Sequence, residues 1–418
     1  MDNIVIIGNS AAALSAVETI IKSDSNSSVT MICDEKGPAY SRVLISYLIS
    51  EEMTKERMYL KDMNFYKMNN IKTIFGNRAV KILPKEKGVI LENNKIIKYD
   101  RLLIATGARP YFPDIKGIEK DGVFGLRTIP DAISIHQRVK MAKRAVILGG
   151  GLVSLKGALA IHKHGLDITL IIGSNQILSQ MLDYRSASFI RESLEKKGYK
   201  ALTSSDVREI GGSNGKVEEV VLTSGKRIPA DIVIVGKGIV PNTELVEDTG
   251  IELDKGIIVN DYMETNIKDI YAAGDVAQGS DLVRKGKYIT GTWPVAIAQG
   301  RIAGYNFVGR KKKYIGALVM NVIDVYGITV ASVGITHLPE NKSGYEEVVI
   351  EGQNNYKKLV IRNNLIVGGV FIGDIKISGL ILSLIRKRVS LDRLPTPKKL
   401  LQGYDYVRLL KYIQKIYN

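Results

Sequence analysis

Cysteine is nearly absent from this sequence, because Cys33 is the single thiol in 418 residues. One cysteine excludes an internal disulfide, a Cys-x-x-Cys redox pair, and any zinc or iron–sulfur site held by cysteines. Histidine is also scarce, with 4 residues. His162 and His164 stand two positions apart, which does not place them on one face of a helix. We therefore expect no metal site.

Long apolar runs are missing as well. No segment approaches the ~18 consecutive apolar residues that a membrane-spanning helix needs. The opening residues, MDNIVIIGNS, have no positive segment ahead of a short apolar run, unlike a secretory signal peptide. The composition, 45% hydrophobic and 24% charged, is that of a globular protein, and the length predicts two or three domains. We expect an intracellular, cytoplasmic protein with no membrane span.

Acidic residues are outnumbered by basic ones. The sequence has 59 Lys and Arg against 43 Asp and Glu, a formal net charge of +16. Such a surface attracts acidic proteins, nucleic acid or anionic lipid, although a solvated, lysine-rich surface is an equal interpretation. The densest basic runs are Arg310–Lys313 and Arg386–Arg388. No aromatic-interleaved stripe suggests base stacking, so we expect no nucleic-acid binding.

One pattern occurs twice along the chain. A short apolar run leads into the turn Gly8-x-Ser10-x-x-Ala13, and a second run leads into Gly149-x-Gly151-x-x-Ser154. After each turn come a helical pattern and another apolar strand, which together form the unit of a doubly wound parallel sheet. The four strands of the two copies are Ile4–Ile7, Val29–Cys33, Ala145–Leu148 and Ile168–Ile172.

A turn of small residues lets the backbone approach a pyrophosphate closely. The helix that follows offers free N–H groups and the positive end of its dipole. Two ordinary turns without a ligand are the alternative interpretation. The candidate contacts with a dinucleotide are Gly8, Asn9, Ser10, Ala11 and Ala12 in the first copy and Gly149, Gly151, Leu152 and Val153 in the second.

Acids that would bind ribose hydroxyls distinguish the two copies. In the first, Asp34 and Glu35 end the second strand, where such a carboxylate is expected, and we favour Glu35 slightly. In the second, the strand ends in Gly173-Ser174-Asn175 without an acid, and no arginine follows directly. The second copy therefore indicates neither NADH nor NADPH.

Three further apolar strands end in small or acidic residues. They run through Tyr99–Ile104 to Ala105-Thr106-Gly107, through Asp231–Val235 to Gly236, and through Ile270–Ala273 to Gly274-Asp275.

Together these motifs resemble the two-dinucleotide FAD flavoproteins of the pyridine nucleotide-disulfide oxidoreductase family. Within it, the sequence is most similar to NADH:rubredoxin reductases and to the FAD domain of assimilatory nitrite reductases. Ala105-Thr106-Gly107 is similar to the ATG turn of the family, Asp275 to the acid that holds the flavin ribityl chain, and Tyr40–Ser46 to a PYSR-type loop. Leu365–Asp374 is similar, more weakly, to the small C-terminal domain.

The resemblance implies the fold. We expect an α/β protein with two Rossmann-like, glutathione-reductase-like dinucleotide-binding domains and a small α+β C-terminal domain. The NAD domain is expected as an insertion into the FAD domain. The expected boundaries are 1–111 and 241–314 for the two parts of the FAD domain, 112–240 for the NAD(P) domain and 315–418 for the C-terminal domain.

The resemblance also implies cofactor contacts beyond the turns. Arg42 and Arg127 are expected at FAD phosphates, because a guanidinium suits phosphate geometry; surface arginines are the alternative. Asp275 is followed by residues expected to open a helix, which it would also cap. A helix with an early proline is expected to begin near Thr292, with Trp293 lining the flavin cavity or simply packing. The remaining candidate cofactor contacts are Val80, Lys156, Gly236 and Gly274.

Two departures from the family stand out. Many electron-transferring relatives carry a Lys–Glu ion pair beside the flavin, and the matching positions here look like Tyr47 and Lys156. The redox cysteine of peroxidase and oxidase relatives is missing near Ser46, and packing is the expected role of Cys33. We expect no catalytic side chain, because the hard chemistry would belong to the flavin.

The resemblance implies a function. We expect an FAD-dependent NAD(P)H oxidoreductase that passes electrons to a redox protein, namely a rubredoxin, a ferredoxin or an iron–sulfur partner subunit, without a redox-active disulfide. Carriers of this kind are often acidic, which agrees with the positive charge. The alternative is a flavin-bearing relay subunit of a larger complex with no NAD(P)H turnover of its own. A basic scaffold that lost the chemistry is a third hypothesis, which the retained motifs disfavour.

The last residues of the chain are amphipathic. Leu380–Val389 and Leu400–Ile416 mix Leu and Ile with Lys, Arg and Tyr. We expect one core-facing side and one solvated side, with a partner-docking or homodimer surface as the alternative.

Overall fold

The computed structural model describes residues 2–23, 27–338, 341 and 343–403. The chain forms two compact units. The first contains the chain up to residue 111 together with 126–136 and 238–317, and the second contains 112–125, 137–237 and the chain from 318 onward.

The β-strands of the described residues are short and spread along the whole chain. In order they are β1 Asn3–Ile7, β2 Ser28–Cys33, β3 Lys72–Phe75, β4 Ala79–Leu83, β5 Gly88–Leu91, β6 Ile96–Lys98, β7 Arg101–Ile104, β8 Ala108–Pro110, β9 Val123–Phe124, β10 Arg144–Leu148, β11 Asp167–Ile171, β12 Lys200–Leu202, β13 Val207–Gly211, β14 Glu219–Leu222, β15 Arg227–Pro229, β16 Ile232–Val235, β17 Ile239–Pro241, β18 Ile257–Ile258, β19 Ile270–Ala272, β20 Ala277–Ser280, β21 Lys287–Ile289, β22 Met320–Val325, β23 Ile328–Gly334, β24 Tyr345–Gly352, β25 Asn355–Arg362 and β26 Leu365–Ile372.

The α-helices of the described residues are fewer than the strands. They are α1 Ala11–Ser23, α2 Ile45–Ile49, α3 Lys55–Met58, α4 Met63–Met68, α5 Ile129–Val139, α6 Leu152–His162, α7 Tyr184–Lys196, α8 Trp293–Phe307, α9 Ser378–Lys387 and α10 Pro397–Leu401. Short 3-10 helices cover Arg42–Leu44, Glu244–Val246 and Leu391–Arg393.

The first unit is built on a five-stranded sheet in the order β19-β7-β1-β2-β3. Every neighbouring pair in it is parallel. The core residues of β1, Ile4–Ile7, are buried, as expected of a central parallel strand covered on both faces. The chain leaves β1 between β7 and β2, which places the turn after β1 where the strand order reverses, and doubly wound sheets bind ligands at such a point.

Two glycines let helix α8 approach helix α1 closely. A Cβ atom on Gly300 would lie 2.0 Å from the carbonyl oxygen of Ala12, and one on Gly304 would lie 2.7 Å from the carbonyl oxygen of Ala16. Neither position tolerates a side chain without a shift of the backbone. The start of α1 is therefore fixed against the middle of α8.

The second unit contains a second parallel sheet in the order β12-β11-β10-β16-β9. A three-stranded antiparallel sheet, β13-β14-β15, accompanies it. The C-terminal part of this unit is a five-stranded antiparallel sheet in the order β22-β23-β26-β25-β24. The strands expected at Lys358–Ile361 and Leu365–Ile372 lie in it as β25 and β26.

The predicted helix after Asp275 is wrong. Residues Ala277–Ser280 form β20, which pairs with β18 on one side and β21 on the other. Those neighbours satisfy the backbone hydrogen bonds that a helix would have to make internally. By contrast, the helix with an early proline is confirmed, since α8 begins at Trp293 with Thr292 as its N-cap residue.

The division into units differs from the expected domain scheme: the segment from 318 onward shares a unit with 137–237 instead of standing apart, and the boundaries near 240 and 314 shift by three residues. Residues 126–136, expected within the inserted domain, belong to the first unit. Arg127 forms an ion pair with Asp275 there, and a ring nitrogen of His136 lies 3.2 Å from the carbonyl oxygen of Ile49. The full set of domain boundaries stays a prediction.

The C-terminal amphipathic segments lie partly within the structure. Helix α9 buries Leu380, Ile381, Leu384 and Ile385, which confirms its core-facing side. Leu400 and Leu401 of α10 are buried as well, whereas 404–416 lie outside the described residues. Within the described ranges, no helix is long and apolar enough to cross a membrane, and no group of three or more His, Cys, Asp or Glu is arranged to hold a metal ion.

Candidate functional site

The first turn is tightened by Gly8. Its φ is +130°, and a Cβ atom there would lie 2.2 Å from the carbonyl oxygen of Ala105. Only glycine combines that dihedral with that approach. The Gly8 N–H donates to the carbonyl oxygen of Ile32 at 2.8 Å, so the turn is held between the ends of β7 and β2.

Asn9 continues the turn with its side chain fixed. Its amide nitrogen donates to the Gly37 carbonyl oxygen at 3.2 Å, and its amide oxygen accepts from the Tyr66 hydroxyl at 2.8 Å. Helix α1 then begins at Ala11. The N–H groups of its first turn, which includes Ala11 and Ala12, have no acceptor within the helix. The first turn thus has the geometry of a phosphate-binding helix start.

The structure separates the two acids at the end of β2. The Asp34 carboxylate accepts a hydrogen bond from the Glu35 N–H at 2.9 Å, a local contact between neighbours in sequence. The Glu35 carboxylate instead forms an ion pair with Arg42 and accepts from the Tyr40 hydroxyl at 2.5 Å. Glu35, Arg42 and Tyr40 form one cluster. Tyr40 was not predicted as a site residue, although it begins the loop Tyr40–Ser46.

Cys33, beside this cluster, is not a reactive thiol. Burial, followed by the negative charge of Asp34, raises the pKa of Cys33 to about 12. A thiol with that pKa remains protonated at neutral pH and is a poor nucleophile.

Arg127 and Asp275 come together from segments far apart in sequence. Arg127 Nη2 donates to Asp275 Oδ2 at 2.6 Å. The Asp131 carboxylate accepts from the N–H groups of Arg127 and Thr128 at 2.9 and 2.7 Å and so fixes the backbone at the start of α5. The carbonyl oxygen of Arg127 also accepts from Arg42 at 3.2 Å, which joins the two predicted arginines through one contact.

Ala105-Thr106-Gly107 forms a tight turn after β7. Gly107 has a φ of +69°. The Thr106 hydroxyl donates to the Asn242 carbonyl oxygen at 2.8 Å, and the Asn242 side-chain amide donates back to the Thr106 carbonyl oxygen at 2.9 Å. Asn242 is a site residue that sequence reasoning missed, although it follows the strand that pairs with β8.

The start of α8 lies in the same unit. Gly274 has a φ of +85°, and its N–H donates to the side-chain oxygen of Gln299 at 2.8 Å. Gln299 is 1% exposed and was not predicted as a site residue. The sequence feature that could have indicated it is its position as a polar residue in a largely apolar helix. Trp293 is partly buried against the core. The hydroxyls of Thr290 and Thr292 are buried and have no hydrogen-bond partner among the described residues.

The remaining predicted FAD contact, Val80, comes from a different sheet. Val80 lies on β4, in the separate antiparallel sheet β4-β5-β6. Its side chain is 47% exposed.

The second turn repeats the first with different small residues. Gly149 has a φ of +116°, and a Cβ atom there would lie 2.4 Å from the carbonyl oxygen of Gly236. Around Gly151, the N-cap residue of α6, a Cβ atom would meet nothing within 4 Å. The Ser154 hydroxyl donates to the Gly236 carbonyl oxygen at 3.0 Å. A Cβ atom on Gly236 would lie 2.1 Å from Ser154 Oγ, so a side chain there would displace this hydroxyl.

The first residues of α6 present a cation as well as backbone donors. Leu152 and Val153 form its first turn, and Val153 is exposed. Lys156, one turn further, is half-buried, and burial lowers the pKa of its ammonium group. No hydrogen bond or ion pair of Lys156 occurs within the described part of the chain.

Comparisons with known proteins agree with this geometry. Residues 2–300 match the family described as pyridine nucleotide-disulphide oxidoreductase. The chain belongs to this family. Residues 320–389 match the rubredoxin NAD+ reductase C-terminal domain. The family resemblance inferred from the motifs is therefore confirmed.

Individual relatives add detail. The chain is 31% identical to a nitrite reductase [NAD(P)H] of Bacillus subtilis over 93% of its own length but only 48% of that protein, so it spans about half of this relative. It is 30% identical to the NADH-dependent phenylglyoxylate dehydrogenase subunit epsilon of Aromatoleum evansii, covering 93% of this chain and 92% of that one. The crystal structure of NADH:rubredoxin oxidoreductase from Clostridium acetobutylicum has a TM-score of 0.78 at 29% identity, covering 96% of this chain and 99% of that one. The expected fold class is confirmed.

Proposed function

We propose that this protein is an NAD(P)H:acceptor oxidoreductase that holds FAD in its first unit and binds the nicotinamide dinucleotide in its second. One observation carries the proposal. Each unit has its own parallel sheet, and in each sheet the central strand, β1 or β10, runs into a glycine turn and the start of a helix. Two such turns in one chain bind two dinucleotides.

Orphaned polar atoms of the first unit support FAD as its ligand. Arg127 Nε and the hydroxyls of Thr290 and Thr292 are buried without a partner among the described residues. Buried polar groups are nearly always paired, and a cofactor with phosphates, a ribityl chain and a polar ring system supplies partners for all three. These residues therefore fit the group.

The residues proposed to contact FAD follow from this fit. Asp275 orients Arg127, and Glu35 offers a carboxylate to ribose hydroxyls. The N-terminus of α8, which begins at Trp293, carries the positive end of its helix dipole. The proposed FAD contacts are Gly8, Asn9, Ser10, Ala11, Ala12, Asp34, Glu35, Arg42, Val80, Ala105, Thr106, Gly107, Arg127, Gly274, Asp275 and Trp293.

The nicotinamide dinucleotide is proposed to bind at the second turn. Free N–H groups at the start of α6 and the Lys156 ammonium, which no described residue pairs with, provide positive charge for its pyrophosphate. The proposed contacts are Gly149, Gly151, Leu152, Val153, Lys156 and Gly236.

The electrons are proposed to leave without a disulfide step. When bound, FAD accepts a hydride and can release electrons one or two at a time. The chain has one cysteine, and its raised pKa makes it unsuited to redox exchange. A redox protein is therefore the proposed acceptor, as in the NADH:rubredoxin oxidoreductase to which the chain is similar. The net charge of +16 favours an acidic carrier.

A relay subunit is the second candidate function. The chain matches the phenylglyoxylate dehydrogenase subunit epsilon over nearly the full length of both proteins. A protein of that kind would receive or deliver electrons inside a complex. Cytoplasmic location and a homodimer remain predictions under either proposal.

An anaerobic experiment distinguishes the two. The protein is purified with its flavin, NADH and NADPH are added separately, and bleaching of the flavin absorbance is followed. Rapid bleaching by one nucleotide supports the free-standing reductase. A flavin that dithionite bleaches but neither nucleotide does would reject it and favour the relay subunit. Acidic carriers are then tested as acceptors with the nucleotide that works.

A further inference from the structure

The end of β11 lacks the ribose-binding acid in sequence, yet a carboxylate stands there in the structure. The last apolar residue, Ile172, is 1% exposed and lies against Gly150, where a Cβ atom would be 2.9 Å from its Cγ2. The next residue is Gly173. A Cβ atom on Gly173 would lie 3.1 Å from Asp206 Oδ1 and 3.6 Å from Asp206 Oδ2.

The loop that carries Asp206 is fastened to this strand end. The Ser205 N–H donates to the Ile172 carbonyl oxygen at 3.0 Å, and the Ser204 N–H donates to the Ser174 carbonyl oxygen at 2.8 Å. On its other side, the Asp206 carbonyl oxygen accepts from the Thr223 N–H at 2.9 Å. These hydrogen bonds restrain the backbone around Asp206. They hold its carboxylate close to the position that a side chain on residue 173 would occupy.

We propose that Asp206 binds the adenosine ribose of the nicotinamide dinucleotide and makes the second site selective for NADH over NADPH. This inference rests on the proposed function of the second turn. A carboxylate at the end of the second strand accepts hydrogen bonds from ribose hydroxyls. It also repels a 2′-phosphate, which carries charge of the same sign.

Lys237 is the neighbouring cation whose charge would favour a 2′-phosphate and therefore NADPH. Its ammonium lies 3.0 Å from Asp206 Oδ1. The side chain of Lys237 is 21% exposed, whereas that of Asp206 is 61% exposed. The carboxylate is therefore the partner that faces solvent and an incoming nucleotide, and the ammonium supports it from the protein side. This arrangement favours an unphosphorylated ribose.

The test measures binding of the adenosine half alone, without turnover. Calorimetry with the flavin-loaded protein compares ADP-ribose with 2′-phospho-ADP-ribose. We expect ADP-ribose to bind more tightly. In Asp206→Asn, we expect its affinity to fall about tenfold to a hundredfold, the value of a hydrogen bond to a charged group, while 2′-phospho-ADP-ribose binds equally well or better. Flavin reduction should show the same change in KM for NADH with kcat little altered.

Three further variants separate ribose binding from a structural role. Asp167→Asn, at the opposite end of the same strand, is the matched control and should bind both ligands as the unaltered protein does. Lys237→Met breaks the ion pair but keeps the carboxylate, so it should retain the preference for ADP-ribose. The double variant Asp206→Asn with Gly173→Asp should regain the preference for ADP-ribose, because the side chain at 173 places a new carboxylate close to the position of the one that was removed.

The outcomes are distinct. Equal binding of the two ligands by the unaltered protein, equal weakening of both in Asp206→Asn, or the same loss in Lys237→Met would each overturn the assignment of Asp206, even if NADH or NADPH reduces the flavin. Absence of binding by both ligands, with no flavin reduction by either nucleotide, would reject the proposed function itself.

Discussion

Gly300→Ala tests whether the contact between α8 and α1 holds the first turn in place. A Cβ atom at this position would lie 2.0 Å from the Ala12 carbonyl oxygen and 2.8 Å from the Ala12 carbonyl carbon. Both are backbone atoms, so no rotation of a side chain relieves the overlap. The helices would have to separate by about 1 Å or more to restore ordinary contact distances.

The expected magnitude combines two opposing effects. Overpacking of a core costs about 1–3 kcal/mol, whereas alanine in a helix interior is favoured over glycine by about 1 kcal/mol. Because the overlap is with backbone, the cost lies in the upper part of its range, and the net loss is about 1–2 kcal/mol. For a domain of 150–250 residues this lowers the Tm by about 2–8 °C. Since Ala12 belongs to the first turn, FAD should also be retained less well.

Circular dichroism melting and the flavin-to-protein absorbance ratio measure both effects. Gly379→Ala is the matched control, because Gly379 also lies in a helix, α9, and a Cβ atom there would meet nothing within 4 Å. Its Tm should stay the same or rise. If Gly300→Ala keeps the Tm and the flavin content of Gly379→Ala, the close approach of the two helices does not support the cofactor site.

Three other predictions concern named ion pairs. Arg127→Met should weaken FAD binding about tenfold to a hundredfold, because it removes charge-assisted hydrogen bonds, and Arg127→Lys should recover only part of the loss; quenching of flavin fluorescence measures both, and unchanged affinity in Arg127→Met would contradict the proposed contact. A hydrogen bond from the Arg144 guanidinium outweighs burial and lowers the pKa of Asp231 to about 2. The ion pair therefore contributes its full stability above the ordinary carboxyl pKa, and this contribution is lost as the pH falls toward 2. The Tm difference between the protein and Asp231→Asn should thus be constant from about pH 7 to 5 and shrink below about pH 4, and a difference that grows on acidification would refute this sign. Lys358 is 3% exposed and pairs with Asp183 at 2.5 Å and Glu347 at 3.0 Å, so Lys358→Met should cost about 2–3 kcal/mol of stability, less than a fully buried pair because the two acids remain partly exposed. Lys357→Met is its control, because the partner of Lys357, Asp374, is 47% exposed and the variant should cost less than Lys358→Met; equal urea midpoints for the two variants would count against a stabilising role of the buried Lys358 ammonium.

The elements that the sequence predicted are those whose signal is local. The two glycine turns and their flanking strands could be located because Gly8 and Gly149 each follow a continuous apolar run, and a buried parallel strand has that form. The strand expected at Ile168–Ile172 is found at Asp167–Ile171, within the ordinary uncertainty of strand ends. The family motifs then extended the prediction to the fold.

The features that the sequence did not predict depend on partners distant along the chain. Asp275 was expected to cap a helix, but strands β18 and β21 supply the hydrogen bonds that keep Ala277–Ser280 extended. Asp206 lies more than thirty positions beyond Gly173, and backbone hydrogen bonds from its neighbours Ser204 and Ser205 fasten its loop to the end of β11. Glu35 and Arg42 were assigned separately to a ribose and a phosphate, whereas the structure joins them in one ion pair.

Both turns depart from the glycine fingerprint at its third position. The third glycine of a dinucleotide turn serves close packing of the helix on the neighbouring element, and here Ala13 and Ser154 occupy that position. In each unit a glycine of a neighbouring element lies close to this part of the turn: a Cβ atom on Gly300 would overlap the backbone of Ala12, the residue before Ala13, and a Cβ atom on Gly236 would lie 2.1 Å from Ser154 Oγ. Close approach is thus a property of two packed elements, and a glycine on either side provides it. A search for the fingerprint alone would score both turns as weak, although both retain the geometry that the fingerprint describes.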